Sequence, residues 1–71
     1  MKFIIFKRLN GSGQPELVEN FSAEGGIEQA AARLNLTPGR VADCVSINRI
    51  PFRKESAGKG DYYLHYIKVV E

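Results

Sequence analysis

IEQAAARLNLTPGRVADC, residues Ile27–Cys44, is the stretch whose reading decides the fold. Ile27, Ala30, Ala31 and Leu34 recur at i, i+3, i+4 and i+7, the apolar face of one helix. Asn35 stands where that helix must stop, and asparagine tolerates the left-handed conformation of a helix exit. Leu36 is an apolar plug in the turn. Thr37 offers a side-chain oxygen as N-cap, and Pro38 sits at the first helical position, where its missing N–H costs nothing. Val41, Cys44 and Val45 give a second helix, over 37–46, its own apolar face. Ala31, Leu34, Leu36, Val41 and Cys44 thus occupy the spacing of a helix-turn-helix core.

Strands flank this pair. Lys2–Leu9 (KFIIFKRL) is rich in β-formers, Asn10-Gly11-Ser12-Gly13 is turn chemistry, and Glu16–Phe21 (ELVENF) returns as a hairpin partner. Glu24-Gly25-Gly26 breaks the pattern, with Gly26 as the first helix's N-cap. Beyond the second helix, Ser46–Lys54 (SINRIPFRK) alternates and reads as a strand. Pro51 cannot donate to a ladder, so that strand should lie at an edge or break there. Glu55–Asp61 reads as a loop leading into the strongest strand, Tyr62–Val70 (YYLHYIKVV). The order is β-β-α-α-β-β, an α+β fold with the helix pair packed on an antiparallel sheet, as a single domain over residues 1–71.

Alternation puts Tyr63, His65, Ile67 and Val69 on one face of the last strand and Tyr62, Leu64, Tyr66, Lys68 and Val70 on the other. In the first strand Phe3, Ile5 and Leu9 oppose Ile4 and Phe6. Two helices cover only one side of a small sheet. The other is either closed by the sheet's curl or presented to a partner.

A chain of 71 residues buries only about 60% of its unfolded surface, so a second copy or a partner would add to a marginal core. A two-fold homodimer would hide apolar sheet and double a weak contact. The apolar fraction of 44% is that of a globular chain and argues against disorder. Cys44 is the lone cysteine, which excludes an internal disulfide and makes it a small core residue. The apolar run in MKFIIFKR is too short for a signal segment or a membrane span, so the expectation is a soluble, cytoplasmic protein with no membrane partner.

Net charge is only +2, but it is unevenly spread. Lys2, Lys7, Arg8 and Arg33 balance Glu16, Glu19, Glu24 and Glu28. Arg40, Arg49, Arg53, Lys54 and Lys59 face only Asp43 and Glu55, a local basic excess beginning on the second helix. A basic strip beside such a helix suits a polyanion. No enzyme chemistry is legible. His65 is the only histidine, the spacing offers no metal set, and the Gly-rich turn lacks the helix and lysine of a phosphate loop. No cofactor is expected.

The chain resembles the small helix-turn-helix modules at the DNA-binding ends of intron-encoded homing endonucleases. The residues that carry the likeness are Ile4–Gly11, Phe21, Ile27-Glu28-Gln29-Ala30-Ala31, Leu34–Leu36, Val41–Val45, Arg53-Lys54 and Gly58–Tyr66. Asn35 stands where those modules usually have a turn glycine, and the step from Phe21 to the first helix is longer than theirs. Without a nuclease domain, cutting activity does not carry over. The resemblance implies double-stranded DNA as partner and a small regulator of a phage or mobile element as the setting.

A helix-turn-helix lays its second helix in the major groove, which turns Thr37, Gly39, Arg40, Asp43 and Ser46 outward toward base edges. Arg33, Arg49, Arg53, Lys54 and Lys59 would then meet phosphates, with Arg49 or Arg53 on a hairpin reaching the neighbouring groove. Two alternatives stand beside this reading. One is a protein-interaction module, an inhibitor or assembly factor working through the sheet face or the helix pair. The other is single-strand binding through Tyr62, Tyr66 and Phe52.

Overall fold

A computed structural model describes residues 1–47 and 49–70. Its elements are β1 (Lys2–Leu9), β2 (Glu16–Ser22), α1 (Ile27–Leu34), α2 (Pro38–Ser46), β3 (Arg53–Gly58) and β4 (Asp61–Val70). The strands form one antiparallel sheet in the order β2-β1-β4-β3, a small α+β domain in the expected element order.

β1 is central. It pairs with β2 from Lys2 opposite Ser22 to Lys7 opposite Glu16, and with β4 from Lys2 opposite Val70 to Leu9 opposite Tyr63. A bulge between Ile5 and Phe6 shifts the β2 register. The β1–β2 turn is possible because Asn10 (φ 53°) and Gly11 (φ 75°) adopt the left-handed conformation. Asn10 also ties this turn to β4. Its N–H donates to the Tyr62 carbonyl (2.7 Å), its side-chain oxygen accepts from Tyr62 N–H (3.1 Å), and its amide donates to Asp61 (3.1 Å).

The helix pair forms as the residues dictate. Gly26 has no side chain to cap α1, so Gln29 reaches back and accepts the Gly25 N–H at 2.7 Å. Glu28 in the first turn and Arg33 in the last complement the helix dipole. At the exit Asn35 is left-handed (φ 58°, ψ 43°). Its N–H donates to Ala32 and that of Leu36 to Ala31, the paired bonds of a Schellman motif. Leu36 packs against the core as the apolar contact that goes with it. Thr37 is extended, and its hydroxyl accepts the Arg40 N–H at 3.2 Å, with Pro38 following at the start of α2.

The core lies between the helices and one face of the sheet. Phe3, Ile5 and Ile67 from the strands meet Ala30, Ala31, Leu34, Val41 and Cys44 from the helices, all buried, with Ala23 beside them. Ala30 and Ala31, being small, let the helix backbones come close. The opposite face carries no helix. The β1–β2 turn leans over it, so that a Cβ on Gly11 would lie 3.0 Å from Leu64.

Between α2 and β4 the expected pattern is wrong. Ser46–Lys54 is not a strand: Ser46 is the last residue of α2, Ile47 is its C-cap, and β3 begins only at Arg53. The alternation read over 46–54 therefore sorts no strand faces before Arg53, and Asn48 lies outside the described residues. The apolar face of α2 carries the helix to Ser46. Pro51 then delays pairing until Phe52 donates its N–H to the His65 carbonyl at 2.9 Å. Nor is Glu55–Asp61 a loop. β3 runs to Gly58, and the turn is confined to Gly58, Lys59 and Gly60, all with positive φ.

Candidate nucleic-acid interface

All five outward positions expected on the second helix, Thr37, Gly39, Arg40, Asp43 and Ser46, are exposed. The first turn of α2 is unobstructed, since a Cβ added to Gly39 would meet nothing within 4 Å. Thr37 has its oxygen engaged as the cap.

Arg40 is more tightly held than its exposure suggests. Its guanidinium donates to the Pro51 carbonyl at 3.0 Å, fastening α2 to the connector before β3. Around that bond Arg40, Pro51, Phe52, Arg53, Lys54 and Leu64 line a cleft. The Arg53 guanidinium lies over the Phe52 ring (5.1 Å) and the Lys54 ammonium over the Tyr62 ring (4.5 Å). Each aromatic face thereby orients a cation without neutralising it. Three positive charges from two elements meet here, which sequence separation alone did not reveal.

The other expected phosphate contacts are spread out. Arg49 lies in the connector, not on a hairpin, and shares a cleft with Arg8, Gly11 and Tyr66. Lys59 is in the β3–β4 turn. Arg33 is already engaged, 3.6 Å from the Glu19 carboxylate and over the Phe21 ring at 4.6 Å, on the α1–β2 side of the molecule.

Cys44 and His65 are interior groups whose ionisation the fold shifts. Burial pushes the Cys44 thiol above its ordinary value; Arg40 pulls it back and Asp43 adds to the rise. His65 is 3% exposed, and neither ring nitrogen has a hydrogen-bond partner. The edge of Phe52 packs on it at 6.1 Å, and a Glu55 oxygen lies 3.7 Å from Nε2. Burial lowers its pKa, Glu55 opposes that, and Arg53 and Lys7 reinforce it. The ring is thus closed off from solvent, with Glu55 as a charged neighbour at Nε2. Among the described residues no group of three or more His, Cys, Asp or Glu side chains could hold a metal, and no helix is long and apolar enough to cross a membrane.

Comparison with protein families, curated proteins and solved structures finds nothing that matches this chain.

Proposed function

We propose that this chain is a small duplex DNA-binding module. It sets the exposed start of α2 against the major groove and holds the backbone with the cations beside it. The observation that carries this reading is the convergence of Arg40, Arg53 and Lys54 on one cleft beside an unobstructed helix start. Arg53 and Lys54 take phosphates, which fixes the register of the helix without reading sequence. Gly39 lets the backbone approach closely, and Asp43 and Ser46 face the bases farther along. Arg40 stands between these roles. Its bond to Pro51 draws it toward the phosphate side, and a base reader there would discriminate by roughly 1–3 kcal/mol. Arg33, held by Glu19 and Phe21, contributes least.

The test is binding to mixed-sequence duplexes at two salt concentrations. Affinity should fall with salt at a log–log slope of about −0.9 for each phosphate neutralised. Reversing Arg49, Arg53 and Lys54 to glutamate should abolish binding to every sequence. A folded protein that binds no duplex at low salt, or whose reversed variant binds as well as the parent, overturns the proposal. The second reading, a protein partner, is favoured by the apolar corner where Ile4, Phe6, Pro15 and Leu17 line a cleft and Leu17 is 65% exposed. Absence of any nucleic-acid binding would select it.

A further inference from the structure

We propose that the open face of the sheet binds single-stranded nucleic acid, on a surface that meets the edge formed by α2 at Lys54 and extends away from it. The strand register sorts charge between the two faces. Glu19 stands opposite the core residue Ile5, Glu16 opposite Lys7 and Glu55 opposite Tyr63, while Asp61 precedes Tyr63 by two residues. Glu16, Glu19 and Glu55 thus fall on the helix-bearing side, whereas Asp61, at the β3–β4 turn, lines a cleft with Lys54, Ser56 and Tyr62. On the open side lie Lys2, Arg8, Lys54 and Lys68, bordered by two carboxylates, Asp61 beside Lys54 at one end and Glu24 beside Lys2 at the other. The connector adds a further cation, because Arg49 shares a cleft with Arg8 and Tyr66. The cations outnumber these two carboxylates, and the excess gives a polyanion one face to approach.

Aromatic rings lie among these cations. Phe6 stacks on Tyr66 with centroids 5.3 Å apart, and Arg8 lies 5.9 Å from the Phe6 ring centre. Tyr62 is half-buried beneath the Lys54 ammonium. Tyr66 is buried beneath this layer, so Phe6 and Tyr62, both half-buried, are the rings within reach of a base, and such a surface fits a strand whose bases are free to stack. A duplex hides its base faces and has no use for such rings. An anionic membrane would call for apolar side chains standing proud of the surface. Here Leu17 and Val70 stand out only at the margins, on the edge strand β2 and at the end of β4, while Phe6 and Leu64 are half-buried and Tyr66 is buried.

The experiment is fluorescence anisotropy on the full chain with three probes: labelled oligothymidine of about 12 nucleotides, a mixed-sequence duplex, and phosphatidylserine-containing vesicles. The Lys2→Glu/Lys68→Glu variant changes two exposed side chains outside the core, and its fold is checked by circular dichroism. It should weaken oligothymidine binding at least tenfold and reduce the steepness of its salt dependence by about 1.4, two contacts at about 0.7 each. Duplex binding should stay as in the parent. Tyr62→Leu should weaken oligothymidine binding roughly tenfold while leaving the salt slope unchanged. Arg40→Ala/Arg53→Glu should do the reverse, losing duplex and keeping the single strand. A parent that binds oligothymidine but no duplex supports this proposal and overturns the previous one. No oligothymidine binding at low salt overturns it. So does equal binding by parent and double variant, equal loss of duplex and single strand in that variant, or preference for vesicles.

Discussion

Thr37→Ala isolates one hydrogen bond on which the helix-turn-helix geometry depends. The first turn of α2 has few donors to satisfy. Pro38 has no N–H, Val41 N–H donates to the Thr37 carbonyl at 3.1 Å, and Arg40 N–H is taken by the Thr37 hydroxyl at 3.2 Å. Alanine removes that acceptor and leaves Gly39 and Arg40 both dependent on water. Thr37 is exposed, so water replaces part of the lost bond, and the cost should be about 1 kcal/mol rather than the 2 kcal/mol of the most severe cap losses. In a domain of this size that lowers Tm by about 4–8 °C. Thermal unfolding followed by circular dichroism, with urea midpoints as a second reading, measures it. Thr37→Ser keeps the oxygen and should stay within a few tenths of a kcal/mol of the parent. Two results would refute the reasoning: an alanine variant as stable as the parent, or a serine variant as damaged as alanine, which would place the threonine's contribution in its methyl group.

Two further outcomes follow from the interior groups. Cys44 is fully buried and its thiol is pushed up, so a thiol reagent should modify it only as fast as the protein opens. Rapid modification of the folded protein would place Cys44 outside the core and rotate the outward set of α2. His65 has a folded pKa below its unfolded value of about 6.5, so folding favours the neutral ring. Its contribution is fully present above that pH and is lost as pH falls below it. The urea midpoint should therefore drop between pH 7 and pH 5.5, and His65→Leu should flatten that part of the profile. A midpoint that rises over this interval, or an unchanged profile in the leucine variant, would contradict the assignment.

The local signals were legible because each rests on neighbours in sequence. Asn35, Thr37 and Pro38 punctuate the helix pair through their own conformational preferences and bonds, and both β1 and β4 show in their β-forming side chains. Ser46–Lys54 misled because its alternation of apolar and polar residues is compatible with a strand, while the helical face carried by Val41, Cys44 and Val45 extends to Ser46. The extent of β3 was hidden too, since Glu55–Gly58 is exposed throughout and carries no apolar period. Register was beyond reach. Nothing local says that β1 lies between β2 and β4, and that Glu19 falls on the helix-bearing face is visible only once Ile5 is set against Glu19 and Ile67. The basic residues were identified individually, yet the cleft that joins Arg40 to Arg53 and Lys54 depends on the bond from Arg40 to Pro51, eleven residues away.

The most direct test of the central claim is a backbone-amide NMR titration of the labelled protein with a mixed-sequence duplex at low salt. The account predicts shifts concentrated at Gly39, Arg40, Asp43 and Ser46 of α2 and at Arg53 and Lys54 of β3, reversed by added salt, with Arg33 unmoved. No shifts at saturating duplex, or shifts that spare α2 altogether, would contradict it.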